Sequence, residues 1–393
     1  MSTKIRGFIP YGKQYINLKD IFSVIRALKS DYLTQGPRID KFQEEFSNKI
    51  QAKYSVAVNS ATSALHIACK ALNLQENDEL WTSPITFVAS ANCARYCGAN
   101  VDFIDINKDT GLIDLNFLES KLKIANLKKK LPKIIVPVHL GGVSCDMDGL
   151  GSLSEKYGFK IIEDASHAIG GKYNNEPIGS CRHSKITIFS FHPVKIITTG
   201  EGGIATTNDI SLAERMLKLR SHGITKLKKD FKFNSPGDWY YEQQELGFNY
   251  RITDIQAALG LSQLSRLDEI IKKRKKIFDY YEKEFKHSSI SMQKIPKNCS
   301  SSYHLAIAQF QKINSKKYHD IFSYLREANI GVQLHYYPVH LQPYYRDLGF
   351  KKGDFPSSEE YSSKSLSLPI FPTLKIRDQK YITQKALNAV LGL

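Results

Sequence analysis

The stretch FSFHPVKIITTGEGG, residues 189–203, joins an apolar run to a lysine and a group of glycines. The overlapping run 185–191 is rich in β-branched and aromatic residues, which is typical of a buried strand. Three glycines within residues 200–203 indicate a tight turn. Most lysines are solvated surface cations, so Lys195 acquires meaning only from what the rest of the chain places beside it.

The alternation of short apolar strands with helix-length segments extends from residue 54 to about residue 208. Strands are predicted at 54–58, 79–82, 101–105, 133–138, 159–163, 185–191 and 204–207. The helices between them, such as 62–72 and 148–157, predict an α/β fold with a mainly parallel seven-stranded sheet covered by helices. A long helical stretch over about 253–285 follows. Because 393 residues exceed one core, we predict a large domain over 1–262 and a smaller α+β domain over 263–393.

The composition, with 42% hydrophobic and 24% charged residues, is typical of a soluble globular protein of enzyme size. No run of about 18 apolar residues is present, and the first seven residues lack the apolar core of a signal peptide. We therefore expect a cytoplasmic protein with no membrane partner.

The six cysteines are scattered, and only Cys93 and Cys97 lie close together, inside a predicted helix. No neighbouring Cys/His pair completes a zinc set. The sequence therefore predicts no metal site, and the cysteines are interpreted as small buried hydrophobes.

The formal net charge of +16 raises the question of a nucleic-acid or other anionic partner. The excess is spread along the chain, and its densest run, 272–276, lies within a predicted helix, where such runs are usually solvated faces. No helix-turn-helix or RNA-binding signature accompanies it, so we expect no nucleic-acid partner. A positive balance suits an acidic small substrate equally well.

Polar residues follow the predicted strands at the edge of the sheet where ligands of open α/β folds gather. Ser60 and Thr62 stand at a strand-to-helix turn, either as anion-binding groups or as ordinary helix caps. Asp164 ends a strand, where its carboxylate either pairs with a protonated pyridine nitrogen or caps a helix. Phe87 and His167 either cover the two faces of such a ring or belong to the core. Together with Lys195 they form the set that a pyridoxal phosphate site requires.

A dinucleotide-binding interpretation of GEGGIA, residues 200–205, fails on its context. The dinucleotide fingerprint follows a strand and opens a helix, whereas this segment leads into a predicted strand. We therefore set this interpretation aside.

The order of these motifs resembles that of the DegT/DnrJ/EryC1/StrS family of sugar aminotransferases. The resemblance covers nearly the whole chain and rests on LTQGP at 33–37, NSATSAL at 59–65, EDASH at 163–167, GEGG at 200–203 and GFNYRITDIQAAL at 247–259. It implies the fold-type I, aspartate aminotransferase-like architecture, with pyridoxal 5'-phosphate as the cofactor.

By this resemblance, Lys195 forms a Schiff base with the cofactor aldehyde and moves protons as a general base and acid. Asp164 binds the pyridine nitrogen, and Phe87 and His167 cover the ring. The implied phosphate contacts are Ser60, Ala61, Thr62 and Ser190. Asn249 reaches the cofactor phosphate of a second subunit, which implies a homodimer with two shared active sites.

The resemblance also implies L-glutamate as the amino donor, released as 2-oxoglutarate, and a keto sugar as the acceptor. Segments 83–92, 191–203 and 334–345 resemble the members that act in pseudaminic acid biosynthesis. Those members aminate C4 of UDP-2-acetamido-2,6-dideoxy-β-L-arabino-hexos-4-ulose, so we expect a UDP-linked 4-keto sugar. The residues expected to contact it are Tyr11, Asp31, Tyr32, Leu33, Thr34, Ala61, Ser190, Asn249, Arg251, His335, Tyr336 and Tyr337.

Three alternatives remain at this stage. A sugar dehydratase of the same fold carries a histidine where Lys195 stands, and His192 does not replace it by spacing. A non-catalytic regulator or nucleic-acid binder has only the net charge in its favour. A different sugar aminotransferase, for example one that makes GDP-perosamine or another UDP- or dTDP-linked 4-amino sugar, is the nearest competitor. The sequence offers no physical reason for His192 and Pro193.

Overall fold

The computed structural model describes residues 7–392. Residues 1–6, most of the stretch in which a signal peptide was sought, and Leu393 lie outside the described residues. The strands in the described part are β1 Tyr54–Val58, β2 Glu79–Thr82, β3 Asn100–Phe103, β4 Ile134–Val136, β5 Lys160–Asp164, β6 Lys172–Tyr173, β7 Glu176–Pro177, β8 Ile186–Ser190, β9 Gly203–Thr207, β10 Ile224–Thr225, β11 Glu242–Gln243, β12 Ile290–Met292, β13 Cys299–Ser300, β14 Ala306–Phe310 and β15 Ser365–Leu368.

The α-helices of residues 7–392 fill the connections between these strands. They are α1 Leu18–Leu28, α2 Pro37–Ile50, α3 Ala61–Ala71, α4 Ala89–Tyr96, α5 Leu115–Leu127, α6 Met147–Tyr157, α7 Ile210–Arg220, α8 Asp254–Leu264, α9 Leu267–Phe285, α10 Ser315–Glu327, α11 Pro343–Asp347, α12 Pro356–Ser362 and α13 Ile376–Leu391.

A seven-stranded sheet in the order β1-β9-β8-β5-β4-β2-β3 forms the centre of the molecule. Neighbours from β8 to β3 are parallel, whereas β9 runs antiparallel to both β1 and β8. All seven predicted strands are present in this sheet, with ends that differ from the prediction by at most two residues. The predicted mainly parallel α/β architecture is confirmed.

The strands of the sheet are apolar on both faces because helices cover both sides. In β4, Ile134 and Val136 belong to one apolar cluster and Ile135 belongs to another, and Ile161 and Ile162 of β5 divide in the same way. This is the pattern expected of a doubly covered parallel sheet, where successive side chains point to opposite faces. It explains why these strands read as continuous apolar runs in the sequence.

A second, three-stranded antiparallel sheet, β12-β14-β15, packs against α9, α10 and α13. Helix α9 contacts both sheets. Its residues Leu267 and Ile270 pack with the large sheet, whereas Ile277 and Phe278 pack with the small one. The division at residue 262 itself stays a prediction. The helix predicted over 253–285 is two helices, which are interrupted after α8.

The basic run 272–276 contains one residue that contradicts its interpretation as a solvated face. Arg274 is 1% exposed and donates to the carbonyl oxygens of His304 at 3.2 Å and Ile370 at 3.0 Å. Those carbonyls belong to segments packed against α9, so backbone acceptors replace water around the guanidinium. Helical spacing alone does not show which basic side chain points inward.

Within residues 7–392 no helix has the length and apolar character needed to cross a membrane. The same residues contain no group of three or more His, Cys, Asp or Glu side chains suited to hold a metal ion. All six cysteines are free thiols, four of them buried, while Cys97 and Cys299 are partly exposed.

Candidate functional site

A cavity of about 650 Å³ lies at the carboxyl ends of the parallel strands. Twelve of the residues predicted to form the site line it: Tyr11, Ser60, Ala61, Thr62, Phe87, Asp164, His167, Ser190, Lys195, His335, Tyr336 and Tyr337. The lining therefore comes from β-strand ends, from the turn before α3 and from the segment around residue 335. The fold brings together residues that are more than 300 positions apart.

The turn between β1 and α3 forms one wall of the cavity. Ser60 is the N-cap of α3, and its hydroxyl accepts the Ser63 N–H at 3.1 Å. Ala61 and Thr62 are the first two residues of α3, and their N–H groups lie at the positive end of the helix dipole. Ser60 is therefore a helix cap in this structure, and the backbone donors of its two neighbours are the groups suited to an anion.

Asp164 ends β5 and is 5% exposed. Its Oδ2 accepts a hydrogen bond from Ser90 Oγ at 2.6 Å, and its Oδ1 accepts one from the Ser166 N–H at 3.0 Å. Each carboxylate oxygen thus has one protein donor and further acceptor capacity. The carboxylate is oriented by the chain itself, on a cavity wall that Ser166 also lines.

Lys195 follows β8 in a closed turn. Its N–H donates to the His192 carbonyl at 2.9 Å, and the Phe191 carbonyl accepts from Thr198 Oγ1 at 2.8 Å and from the Thr199 N–H at 3.1 Å. Burial lowers the pKa of Lys195 to about 8, and the charge of Asp164 opposes part of that decrease. About a tenth of the amine is therefore neutral at pH 7, far more than for an ordinary lysine.

The glycine-rich segment after Lys195 allows a close backbone contact. A Cβ on Gly203 would lie 2.5 Å from both the Ala61 nitrogen and the Ser60 carbonyl carbon. A Cβ on Gly202 would lie 2.2 Å from Thr199 Oγ1. Only a residue without a side chain lets β9 pass this close to the turn before α3, so Gly203 sets the distance between β9 and this wall of the cavity.

Two buried histidines, His167 and His335, line the cavity, and a third, His304, packs against His167. Burial lowers the pKa of His167 and of His304 well below the usual range, and that of His335 to about 3; the charge of Lys195 contributes to each decrease. The Gly141 N–H donates to His167 Nδ1 at 3.3 Å, so Nε2 carries the ring proton and donates to the Tyr336 hydroxyl at 3.1 Å. The imidazoles are uncharged, and the Tyr336 proton is left free to be donated elsewhere.

Aromatic rings also line the cavity, next to these histidines. Phe87 is 58% exposed and lies 6.3 Å from Tyr336, and Tyr11 lies 5.1 Å from His335, both measured between ring centroids. Burial raises the pKa of the Tyr11 phenol, which therefore stays a neutral donor. These rings offer flat apolar surface together with hydroxyl groups, which suits a ring-bearing ligand.

Six predicted residues lie outside the lining of this cavity: Asp31, Tyr32, Leu33, Thr34, Asn249 and Arg251. Thr34 pairs with Thr253, and Arg251 pairs with Val58 at the end of β1. Asn249 is exposed, and its carbonyl lies 3.5 Å from the Asn59 side-chain amide. Their predicted roles stay predictions, because within one chain these side chains do not line the cavity.

Several lining residues had no role in the sequence analysis. They are Leu65, Thr86, Val88, Ala89, Val138, Ser166, His192, Val194, Glu201, Gln333, Leu334 and Gln342. Ser90, which binds Asp164, was also missed, although it stands one helical turn beyond Thr86 in a segment already singled out. His192, left without a physical reason above, is an exposed residue of the lining.

The sequence model of the DegT/DnrJ/EryC1/StrS aminotransferase family matches residues 14–386. The UDP-4-amino-4,6-dideoxy-N-acetyl-beta-L-altrosamine transaminase of Campylobacter jejuni serotype O:23/36 is 39% identical over 378 residues, 95% of each chain. The spore coat polysaccharide biosynthesis protein SpsC of Bacillus subtilis is 36% identical over 396 residues, 100% of each chain.

A solved structure with the same fold is that of Helicobacter pylori PseC, described as an aminotransferase involved in the biosynthesis of pseudoaminic acid. Its TM-score is 0.89 with 31% sequence identity, and the match covers 98% of this chain and 100% of the other. The similarity therefore extends over the large sheet, the small sheet and the cavity at the carboxyl ends of the strands.

In the ligand-free protein, we expect Lys195 to react with trinitrobenzenesulfonate with a midpoint near pH 8, because only the neutral amine attacks and burial depresses its pKa. An ordinary lysine has a midpoint near pH 10.4. Asp164→Asn moves the Lys195 midpoint to lower pH, since the carboxylate charge favours the ammonium form. Peptide mass spectrometry of partially labelled protein measures this, with the exposed Lys185 as comparison in the same digest. A midpoint near 10, or an upward shift in the variant, contradicts the electrostatic account.

Gly203→Ala is expected to weaken binding of pyridoxal phosphate by about tenfold or more, because the added Cβ pushes β9 away from the Ser60–Ala61 backbone, and overpacking costs about 1–3 kcal/mol. Fluorescence titration of the ligand-free protein measures the dissociation constant. The matched control is Gly7→Ala, where a Cβ meets nothing within 4 Å. Equal affinities in the two variants would show that the close contact has no part in the site.

Proposed function

The chain belongs to the DegT/DnrJ/EryC1/StrS aminotransferase family and is a pyridoxal-phosphate-dependent sugar aminotransferase of fold type I, and on this premise we propose its substrates. It transfers the amino group of L-glutamate to C4 of a UDP-linked 4-keto-6-deoxy-N-acetyl hexose, UDP-2-acetamido-2,6-dideoxy-β-L-arabino-hexos-4-ulose, and releases 2-oxoglutarate. The observation that carries the chemistry is a half-buried lysine of lowered pKa, Lys195, in one cavity with Asp164 and with the start of α3.

The donor set of the cavity fits pyridoxal phosphate. The N–H groups of Ala61 and Thr62 and the Ser190 hydroxyl suit its phosphate, since all three are neutral donors at strand and helix ends. Asp164 provides a buried carboxylate for the pyridine nitrogen, and the exposed Phe87 ring provides a stacking surface. When bound, the cofactor supplies an aldehyde and a pyridinium that withdraws electrons from the reacting carbon.

Lys195 would hold the cofactor through its amine and would act as the base toward the α-proton of the amino donor. A pKa of about 8 leaves a usable fraction of neutral amine at neutral pH, and the ammonium form returns the proton to carbon. His167, His304 and His335 are uncharged, so they hold the aromatic wall in place without competing for the proton.

The sugar nucleotide is proposed to occupy the aromatic side of the cavity. Tyr11, His335, Tyr336 and Tyr337 line it, and the Tyr336 hydroxyl has its proton free because His167 donates to its oxygen. Phenol rings supply both stacking area and hydrogen bonds for a sugar or a base. The net charge of +16 favours the approach of a doubly charged diphosphate. The UDP and C4 assignments rest on the resemblance of three segments and on the Campylobacter relative.

The active unit is proposed to be a homodimer with shared sites. Helix α1 turns Asp20 and Ala27 inward and presents an outward apolar stripe of Leu18, Ile21, Phe22, Ile25 and Leu28. Such a stripe is typical of a surface that another protein covers. Asn249 is exposed beside the Asn59–Ser60 turn, and Tyr32 and Leu33 are about half exposed next to the stripe. This exposure supports the proposal that they contact a second subunit's site.

Another nucleotide sugar is the main competing substrate. SpsC matches over the full chain at 36% identity and bears a spore coat polysaccharide name, so a GDP-linked or other UDP- or dTDP-linked 4-keto sugar stays open. A dehydratase is disfavoured because Lys195 occupies the position of its histidine. The cytoplasmic location and the absence of nucleic-acid partners stay predictions of the sequence.

A panel of UDP-, GDP- and dTDP-linked 4-keto sugars, each offered with L-glutamate, tests the substrate assignment. We expect turnover to be at least about tenfold faster with the UDP-linked N-acetyl sugar, the scale of one lost polar contact. Mass spectrometry and NMR identify the product and the aminated carbon. Lys195→Ala is the matched control: it gives no turnover, and borohydride leaves no cofactor bound to its peptide. A preferred GDP or dTDP substrate, or amination away from C4, overturns the assignment.

Mixing Lys195→Ala subunits with Asn249→Ala subunits tests the shared site. If Asn249 acts in the partner's site, each mixed dimer contains one site with both residues intact. In a statistical mixture, half of the dimers are mixed, and each mixed dimer has one restored site out of two. We therefore expect about a quarter of the wild-type rate, which is above the rate of either parent variant. As a control, Asn59→Ala subunits replace the Asn249→Ala subunits in the mixture, since the Asn59 side chain contacts the Asn249 carbonyl. A rate equal to the mean of the parents means that Asn249 acts within its own subunit.

A further inference from the structure

A chain of buried hydroxyl groups leads from the start of α4 to the carboxylate of Asp164. Thr86 Oγ1 lies 2.7 Å from Ser90 Oγ, which lies 2.6 Å from Asp164 Oδ2. Ser90 is 0% exposed and Thr86 is 2% exposed. Water therefore does not compete for these bonds, and each hydroxyl proton has to be placed within the protein.

The direction of both hydrogen bonds follows from the acceptor at the end of the chain. An ionised carboxylate only accepts, so the single proton of Ser90 is donated to Asp164. The Ser90 oxygen is then the acceptor for the Thr86 hydroxyl. The other contact of Ser90 Oγ, to the Phe87 carbonyl, is longer at 3.4 Å. Donation to a charged acceptor is the stronger of the two.

The position of Ser90 in the helix makes this use of its hydroxyl informative. Ser90 is the second residue of α4, and the N-cap Val88 provides no side-chain hydrogen bond to the helix end. A serine in a first turn commonly bonds to the local backbone. Here the hydroxyl instead donates to Asp164, which lies 74 positions later in the sequence at the end of β5.

We propose that Ser90, supported by Thr86, is a positioning residue that directs the Asp164 carboxylate at the cofactor ring nitrogen, an inference that rests on the proposed role of Asp164. The bond orients one carboxylate oxygen, and the Ser166 N–H orients the other. The same turn carries Phe87, the proposed stacking residue. The segment 86–90 thus contains both the residue proposed to stack on the cofactor ring and the residues proposed to orient the partner of the ring nitrogen.

The test compares Ser90→Ala and the isosteric Thr86→Val with a matched control, Ser358→Ala. Ser358 is also 0% exposed and also donates to a buried carboxylate, Asp105 Oδ1 at 2.7 Å, but it does not line the cavity. Each protein is loaded with ¹⁵N-labelled pyridoxal phosphate. The readouts are the ¹⁵N chemical shift of the ring nitrogen, the cofactor dissociation constant, and kcat and KM for glutamate.

For Ser90→Ala we expect kcat to fall about 10- to 100-fold, the equivalent of one hydrogen bond to a charged group, with KM changed by less than about threefold. The ¹⁵N resonance moves toward that of an unprotonated pyridine. Thr86→Val gives the same changes at about 3- to 10-fold and keeps the proposal testable if Ser90→Ala does not fold. Ser358→Ala lowers thermal stability but leaves the resonance and kcat as in the wild type.

Three results would contradict this account. If the wild type binds the cofactor and turns over while Ser90→Ala or Thr86→Val keeps the wild-type resonance and kcat, the positioning role is wrong and the proposed function stands. If the resonance of Ser358→Ala moves as much as that of Ser90→Ala, the effect is one of general stability and the proposal is overturned. A wild type whose cofactor nitrogen is unprotonated contradicts the role of Asp164 itself.

Discussion

Two opposite charges, the Lys195 ammonium and the Asp164 carboxylate, face one cavity, and the rest of the site is arranged around this pair. Burial lowers the pKa of Lys195 to about 8, while the charge of the Asp164 carboxylate limits the decrease. The neighbouring imidazoles are neutral, so they add no third charge. The increased fraction of neutral amine at neutral pH is therefore a consequence of burial, which the acidic group only partly offsets.

The sheet delivers these groups because its parallel strands all end on the same side. Asp164 ends β5 and Ser190 ends β8, and the chain then turns through Lys195 before it returns along β9. This return strand is the one that runs antiparallel, and it passes the Ser60–Ala61 backbone at a distance that only Gly203 permits. Backbone geometry thus brings the lysine, the carboxylate and the turn before α3 together, and the side chains add their chemistry to it.

The fold and the inner part of the site were predictable from sequence because their signals are local. Seven short, largely apolar runs identified the seven strands, since a sheet covered on both faces buries both sides of its central strands. The residues just behind those runs lie at the carboxyl ends of the strands, so Asp164, Ser190 and Lys195 could be placed together before any coordinates were known. The buried Arg274 was not predictable, because its neutralising carbonyls lie in distant segments.

By itself, the sequence determined the α/β class, the large sheet and the family resemblance, because periodicity and motif order are properties of neighbouring residues. Only the tertiary structure decided that the Ser60 hydroxyl caps α3 while the backbone beside it faces the cavity, and that Ser90 binds Asp164. It also separated Asn249 and residues 31–34 from the cavity of their own chain. Such facts depend on which distant segments meet, and no local pattern encodes the distance between two atoms 74 positions apart.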